Sequence, residues 1–210
     1  LYSFDLSNNA SLLSLDLSAN TQLYTFNCDN NTSLSAINLN GAESLFYLSL
    51  LDNNLLPSID VSSNFNLFDF TCTGNSSLTS LDLSNISIIE NINCSNNNLQ
   101  NLNLLGCVSL KNLYCDNNNI NTLDLSTNNN LENLFCNDNQ LESLHLSDNV
   151  SLSVLQCYNN QLQVVDLRNG NNINMGYAQS DVNLTGNPSL SCISVDDVAW
   201  SVVYWTYPTG

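Results

Sequence analysis

Positive charge is almost absent from this sequence: Lys111 and Arg168 are its only permanent cations, against 19 Asp plus Glu, for a formal net charge of −17. A phosphate backbone is held by clustered cations, so nucleic acid is excluded as a partner, and an anionic membrane surface is repelled for the same reason. Long apolar runs are lacking too. No stretch approaches the roughly 18 to 20 residues of a membrane span, and no basic segment followed by an apolar core opens the chain in the manner of a signal peptide. Charged residues are only 10% of the total, against about 25% in an average domain, so Asn, Ser and Thr carry the solubility. Helix signals are scarce, because connections of a few Asn, Ser and Thr residues leave no room for an amphipathic helix. The chain opens on Leu1, without Met and inside a repeat, which points to a processed or partial piece of something longer.

What is present is a period, and a period overrides the prior of one or two globular domains for 210 residues. Apolar-x-apolar triplets begin at Phe4, Leu15, Phe26, Ile37 and so on to Leu144, Leu155 and Val165, about 11 residues apart at first and then alternating between about 10 and 11. Each triplet has the alternation of a short strand with one buried face. One such unit is too short to close around a core, whereas about 21 residues suffice, so two halves make one coil with a parallel strand on each of two faces. About eight coils stacked at strand spacing give a body on the order of 40 Å long. In one half the triplet ends in Leu, in the other in Cys.

Asn residues supply the turns. Asn9, Asn20, Asn31, Asn53, Asn64, Asn75, Asn97, Asn118, Asn128, Asn139, Asn149 and Asn160 all follow the start of their triplet by five places. An inward amide there donates to and accepts from the turn backbone, predicting an amide ladder along the stack. Ala42, Ile86 and Cys107 replace ladder residues, so three turns need another solution. The pattern is lost from Gly170 to Ser180, a longer loop before a last strand near Val182 to Leu184. The segment from Cys192 is dense in Val, Ile and Trp, with Asp196 or Asp197 placed to cap a short helical turn. The chain thus divides into repeats over 1–170, an irregular loop and last coil over 171–191, and a C-terminal cap over 192–210 that covers the open end of the core. An N-terminal cap is absent, so that end continues into more repeats or is covered by another chain.

The run LKNLYCDNNNINTLDLSTNNNL, Leu110 to Leu131, with its L-x-x-L-x-L/C-x-x-N-x-L and x-x-L-D-L-S-x-N halves, resembles the bacterial leucine-rich repeats of nested periodicity called IRREKO, and the likeness covers Leu1 to about Gly170. LTGNPSLSCISVDDVAW, Leu184 to Trp200, resembles the closing segment of leucine-rich-repeat surface proteins exported by the type IX system of Gram-negative bacteria. The resemblance implies a leucine-rich-repeat solenoid, mostly β with little helix, in a secreted or bacterial cell-surface protein.

Three sets of side chains are candidates for chemistry. Cys28, Cys72, Cys94, Cys115, Cys136 and Cys157 share one repeat position, which Leu6 and Leu50 fill in other coils. A position that accepts Leu is a core position, and close C-x-x-C pairs typical of zinc sites are missing, so these are read as a buried thiol ladder; Cys107 and Cys192 lie off it. An outward stripe on the Leu-type halves runs Asp16, Asn38, Asp60, Asp82, Asn103, Asp124, His145 and Asp166. It reads as a solvated face whose Asp residues bond to neighbouring turns, with calcium at Asp60 and Asp82, or at Asp124 and Asp166, as the alternative. His145 between Asp124 and Asp166 is the one metal-like or acid/base grouping, with Ser126 or Ser147 as a notional nucleophile, but a flat face offers no pocket for catalysis. The third set is on the Cys-type halves, where Tyr114 and Phe135 are neighbours, Asn93 and Gln156 flank them and Tyr158 lies just beyond. Exposed aromatics beside amides suit a partner protein or a surface glycan. The reading is a non-catalytic binding scaffold for protein interaction or adhesion. Its alternatives are a glycan-binding accessory module or subunit of an outer-membrane export or uptake complex, and a structural spacer.

Overall fold

A computed structural model of the chain describes residues 2–175 and 181–199. The first half carries the strands β1 (Ser3–Asp5), β2 (Ser14–Asp16), β3 (Thr25–Asn27), β4 (Ala36–Asn38), β5 (Tyr47–Ser49), β6 (Asp69–Thr71), β7 (Ser80–Asp82) and β8 (Asn91–Asn93). The second half carries β9 (Asn101–Asn103), β10 (Asn112–Tyr114), β11 (Asn133–Phe135), β12 (Ser143–His145), β13 (Val154–Gln156), β14 (Val164–Leu167), β15 (Val182–Asn183) and β16 (Cys192–Val195), with a 3-10 turn at Asn172–Asn174. In the three-residue strands the central apolar side chain turns inward and its two neighbours turn out, as in the exposed-buried-exposed pattern of β7 and β9. Leu, Ile, Phe and the ladder cysteines form one continuous core along the coils. Among the described residues no helix is long and apolar enough to cross a membrane.

The solenoid has the two strand-bearing faces that the triplets predict. On the first, nine parallel strands pair without interruption in the order β1-β3-β5-β6-β8-β10-β11-β13-β15. The second is broken into β2-β4, β7-β9 and β12-β14-β16, because residues 58–61 and 122–125 form no strand. Pro57 accounts for the first break. Its counterpart one coil earlier, Ser35, donates its N–H to Leu13, and proline has none to donate. Nothing in the sequence explains the second. Backbone rungs at roughly 4.8 Å spacing therefore run without a gap from β1 to β15 on the first face.

The period shortens by one residue midway along the repeats, before the longer connection from β13 to β15. Successive first-face strands are 22 residues apart from Ser3 to Asn91, then 21 from Asn91 through Asn112 and Asn133 to Val154. The residue is lost from the turn after the thiol: Cys28 to Leu34 and Cys72 to Leu78 span one position more than Cys94 to Leu99 and Cys115 to Ile120. The hydrogen bonds move with it. In the longer coils Asn53 Oδ1 accepts the Asn31 N–H at 3.1 Å and Asn97 Oδ1 accepts the Asn75 N–H at 2.7 Å. In the shorter ones Asn118 and Asn139 accept from Leu99 and Ile120, both at 3.0 Å. Asn187, just before Pro188, is a further member, accepting the Leu162 N–H at 3.1 Å. Asn9 has the ladder geometry but is exposed, and Asn20 is half-buried.

The Leu-type turns use a different arrangement. Asn64, Asn128 and Asn149 are fully buried and donate Nδ2 to two carbonyls each of the preceding coil, while their Oδ1 atoms have no partner in the structure. Where Ala42, Ile86 and Cys107 replace the amide, the preceding residue is left-handed: Gly41 at φ +88°, Asn85 at +66° and Gly106 at +82°. A left-handed residue bends the chain without a side-chain brace. Cys107 adds a substitute of its own, its Sγ donating to Leu83 O at 3.1 Å.

Residues 192–195, placed by sequence in the cap, form β16, a further rung of the second face, paired with β14. Asp196 holds the preceding loop, accepting the Gly170 N–H at 2.7 Å. The remainder of the predicted cap, residues 200–210, lies outside the described residues, as do 176–180 of the loop.

Candidate functional site

Each first-face strand turns the residue after its central apolar side chain outward, and register lines these up. Asn93, Tyr114, Phe135 and Gln156 occupy consecutive positions on β8, β10, β11 and β13. Tyr114 and Phe135 stack with ring centroids 4.8 Å apart and planes 17° from parallel. Their spacing is the strand spacing, so the stack follows from placing rings at the same position of adjacent coils. Asn93 is held by its own surroundings, its Oδ1 accepting Thr73 Oγ1 at 3.0 Å and the Ser95 N–H at 3.2 Å. Beyond the stack Phe135, Asn137, Val154, Gln156, Tyr158 and Asp181 line an open hollow of about 360 Å³. The five side chains singled out from sequence therefore form one band: an aromatic pair, an amide on either side, and Tyr158 across the hollow.

A second aromatic group on the same face was not anticipated. Tyr2, Tyr24, Phe46 and Phe68 stand two residues before the strand centres of β1, β3, β5 and β6. They stack at 5.0, 4.9 and 4.8 Å with planes within 7° of parallel. Their 22-residue spacing was the signal that could have revealed them.

The second face carries the acidic stripe, and its carboxylates are engaged locally. Asp16, Asp60, Asp82 and Asp124 each accept the N–H of the serine two residues on, at 2.9 to 3.0 Å. Those bonds hold their carboxyls below the usual range. His145 pairs in register with Asp166, but Asp166 is gripped by Arg168 through Nε at 2.9 Å and Nη2 at 2.7 Å, which pulls its carboxyl down to about 2. Asp124, Ser126, Ser143, His145 and Asp148 share an open hollow of about 260 Å³. A larger one of about 440 Å³ lies between Asp82, Asn103 and Asp124, and a third of about 290 Å³ between Asp60 and Asp82. These open hollows lie where residues 58–61 and 122–125 leave the sheet. Among the described residues no group of three His, Cys, Asp or Glu side chains is arranged to hold a metal ion.

The six ladder cysteines and Cys107 are fully buried thiols, and Cys192 is exposed. Burial pushes Cys94 up to about 12 and Cys28 and Cys107 to about 11, so these thiols resist ionisation and act as small apolar core residues.

No protein-family model and no curated protein matches the sequence. Among solved structures the chain is similar to the functional domain of InlJ from Listeria monocytogenes, described as including a cysteine ladder, with TM-score 0.52, 22% identity, and 87% of this chain and 46% of that one covered. It is also similar to the leucine-rich repeat domain of APL1B, with TM-score 0.56, 17% identity, and 88% and 54% covered. The chain thus spans about half the length of each. At these identities the likeness concerns architecture, and the chain has the fold of a leucine-rich-repeat solenoid.

Proposed function

We propose that this chain is a non-catalytic binding scaffold of a secreted or bacterial cell-surface protein, and that it holds a partner protein on its first face through Tyr114, Phe135 and Tyr158, with Asn93 and Gln156 selecting polar groups. The stacked, outward Tyr114–Phe135 pair beside the hollow at Tyr158 carries this reading. Aromatic anchors at the centre of a contact supply most of its energy, and the unbroken sheet beneath fixes their spacing without an ordering cost on binding. The protein-interaction role known for the repeat architecture supports it by analogy, as does the resemblance of the C-terminal segment to exported surface proteins.

The test is the double variant Tyr114→Ala with Phe135→Ala, measured against partners recovered by cross-linking on intact cells. A loss of about 30-fold or more in affinity is expected, the effect of removing a hot spot worth about 2 kcal/mol, while Asp60→Asn on the second face leaves binding unchanged. Unaltered affinity in the double variant sinks the placement. A glycan is the second reading, favoured by the hollow of about 360 Å³ with aromatic and amide walls. Retention on a glycan array that disappears in the same variant would select it over a protein partner.

A further inference from the structure

The four-ring strip at the other end of the first face is followed by a carboxylate that lacks a cation. Tyr47 on β5 lies crosswise to the strip, its ring at 72° to Tyr24, 67° to Phe46 and 73° to Phe68. It is 41% exposed, and Tyr2 at the strip's end is 66% exposed. Beside Tyr47 in register on β6 stands Asp69. This carboxylate is half-buried, its side-chain partner is the Asn91 amide, and desolvation pushes it above the usual range. Among the described residues the two ion pairs are Lys111–Glu90 and Arg168–Asp166. Both basic residues of the sequence are therefore committed elsewhere, and Asp69 is left without a cation.

We propose that this surface docks an extended segment of a partner protein that lays an arginine or lysine over Tyr47 and against Asp69. The chemistry selects a cation over the alternatives. The inner strip rings spend their faces on one another, so a sugar ring has little aromatic face to stack on. What they offer outward is apolar edges, which suit a partner's aliphatic side chains. The exposed Tyr47 ring attracts a cation through its negative face. A half-buried carboxylate gains more from a cation than a fully solvated one, because salt screens it less. The net charge of −17 draws basic partners and repels acidic ones. A purely structural strip would staple the coils and show no preference among peptides.

The experiment titrates the protein with acetyl-Leu-Arg-Leu-amide and acetyl-Leu-Gln-Leu-amide at millimolar concentrations, following the Tyr47 ring protons by NMR, assigned through Tyr47→Phe. The arginine peptide should bind about 10-fold tighter than its glutamine counterpart. Asp69→Asn, which keeps the shape and the contact with Asn91, should bring that ratio to one, as should Tyr47→Leu, while Tyr114→Ala leaves it unchanged and so separates this surface from the band around Phe135. Equal affinities in the unaltered protein, no ring shift with either peptide, or a ratio that survives Asp69→Asn would each overturn the proposal. So would sedimentation showing a self-association that Tyr47→Leu abolishes, since the strip would then be covered by a second copy of this chain.

Discussion

Asn97 and Asn128 are both buried turn amides, yet they do different work. Asn97 donates to Cys72 O and Cys94 O at 3.0 and 2.8 Å and also accepts the Asn75 N–H at 2.7 Å. Asn128 only donates, to Leu104 O and Cys107 O at 3.3 and 2.9 Å. Truncating a buried partner costs the desolvation of each group left behind, about 1–3 kcal/mol. Asn97→Ala strands a backbone donor as well as two acceptors and should cost about 4 kcal/mol, against about 2 for Asn128→Ala. Urea unfolding of both variants decides it, and equal midpoints would mean the two ladders are equivalent after all. The sequence made the Asn positions legible because they recur at a fixed offset. The asymmetry between the ladders was not legible, since it depends on a backbone angle: Asn96, before Asn97, is left-handed at φ +57°, whereas Thr127, before Asn128, is not.

Turns and strands are where sequence reading succeeded most and then met its limit. The apolar-x-apolar triplets marked the strand centres, because period two with one buried face leaves few other conformations. The second-face breaks were less visible. Pro57 was a readable signal, whereas residues 122–125 carry a normal triplet, Leu123-Asp124-Leu125, and still form no strand. Likewise the Tyr114–Phe135 pair was readable from neighbouring aromatics, while the Tyr2-to-Phe68 strip sits outside the triplets and escaped a reading centred on them. Substitutions of Ala42, Ile86 and Cys107 for Asn forecast an alternative turn, and the left-handed residue before each supplies it. Gly41→Ala tests this. At φ +88° a side chain is strained, and its Cβ would lie 2.2 Å from Ser18 O in the adjoining coil. Gly170 is left-handed too, but nothing lies within 4 Å of its Cβ position. Gly170→Ala should therefore cost about 1 kcal/mol, the left-handed penalty alone, and Gly41→Ala about 3 kcal/mol or more as the coils are pushed apart. Calorimetry showing the same loss for both would remove the packing component.

Across the whole molecule, two electrostatic effects act in opposite directions with pH, and salt separates them. A net charge of −17, with two ion pairs among the described residues, makes the stack self-repelling, a strain relieved when the chain expands on unfolding. Raising sodium chloride from 0.01 M to 1 M shortens the screening length from about 30 Å to about 3 Å. At pH 7 this should raise Tm by about 5 °C, corresponding to about 2 kcal/mol at this chain length. Acid reduces the same net charge but does not give the same benefit. Asp5, Asp16, Asp60, Asp82 and Asp124 have carboxyls lowered below 3.8 by bonds to the serine two residues on, and Asp166 is lowered to about 2 by Arg168. A carboxyl lowered in the folded state contributes stability that is fully present above its unfolded value, near 3.8, and that is lost as pH falls through the lowered one. Tm at 0.1 M salt should therefore fall between pH 4 and pH 2 even as the repulsion weakens, and Asp82→Asn, which retains an acceptor for Ser84, should soften that fall. A Tm that is flat or declining with sodium chloride at pH 7 would show that repulsion does not limit the fold, and a Tm that rises on acidification would show that repulsion outweighs the aspartate turns.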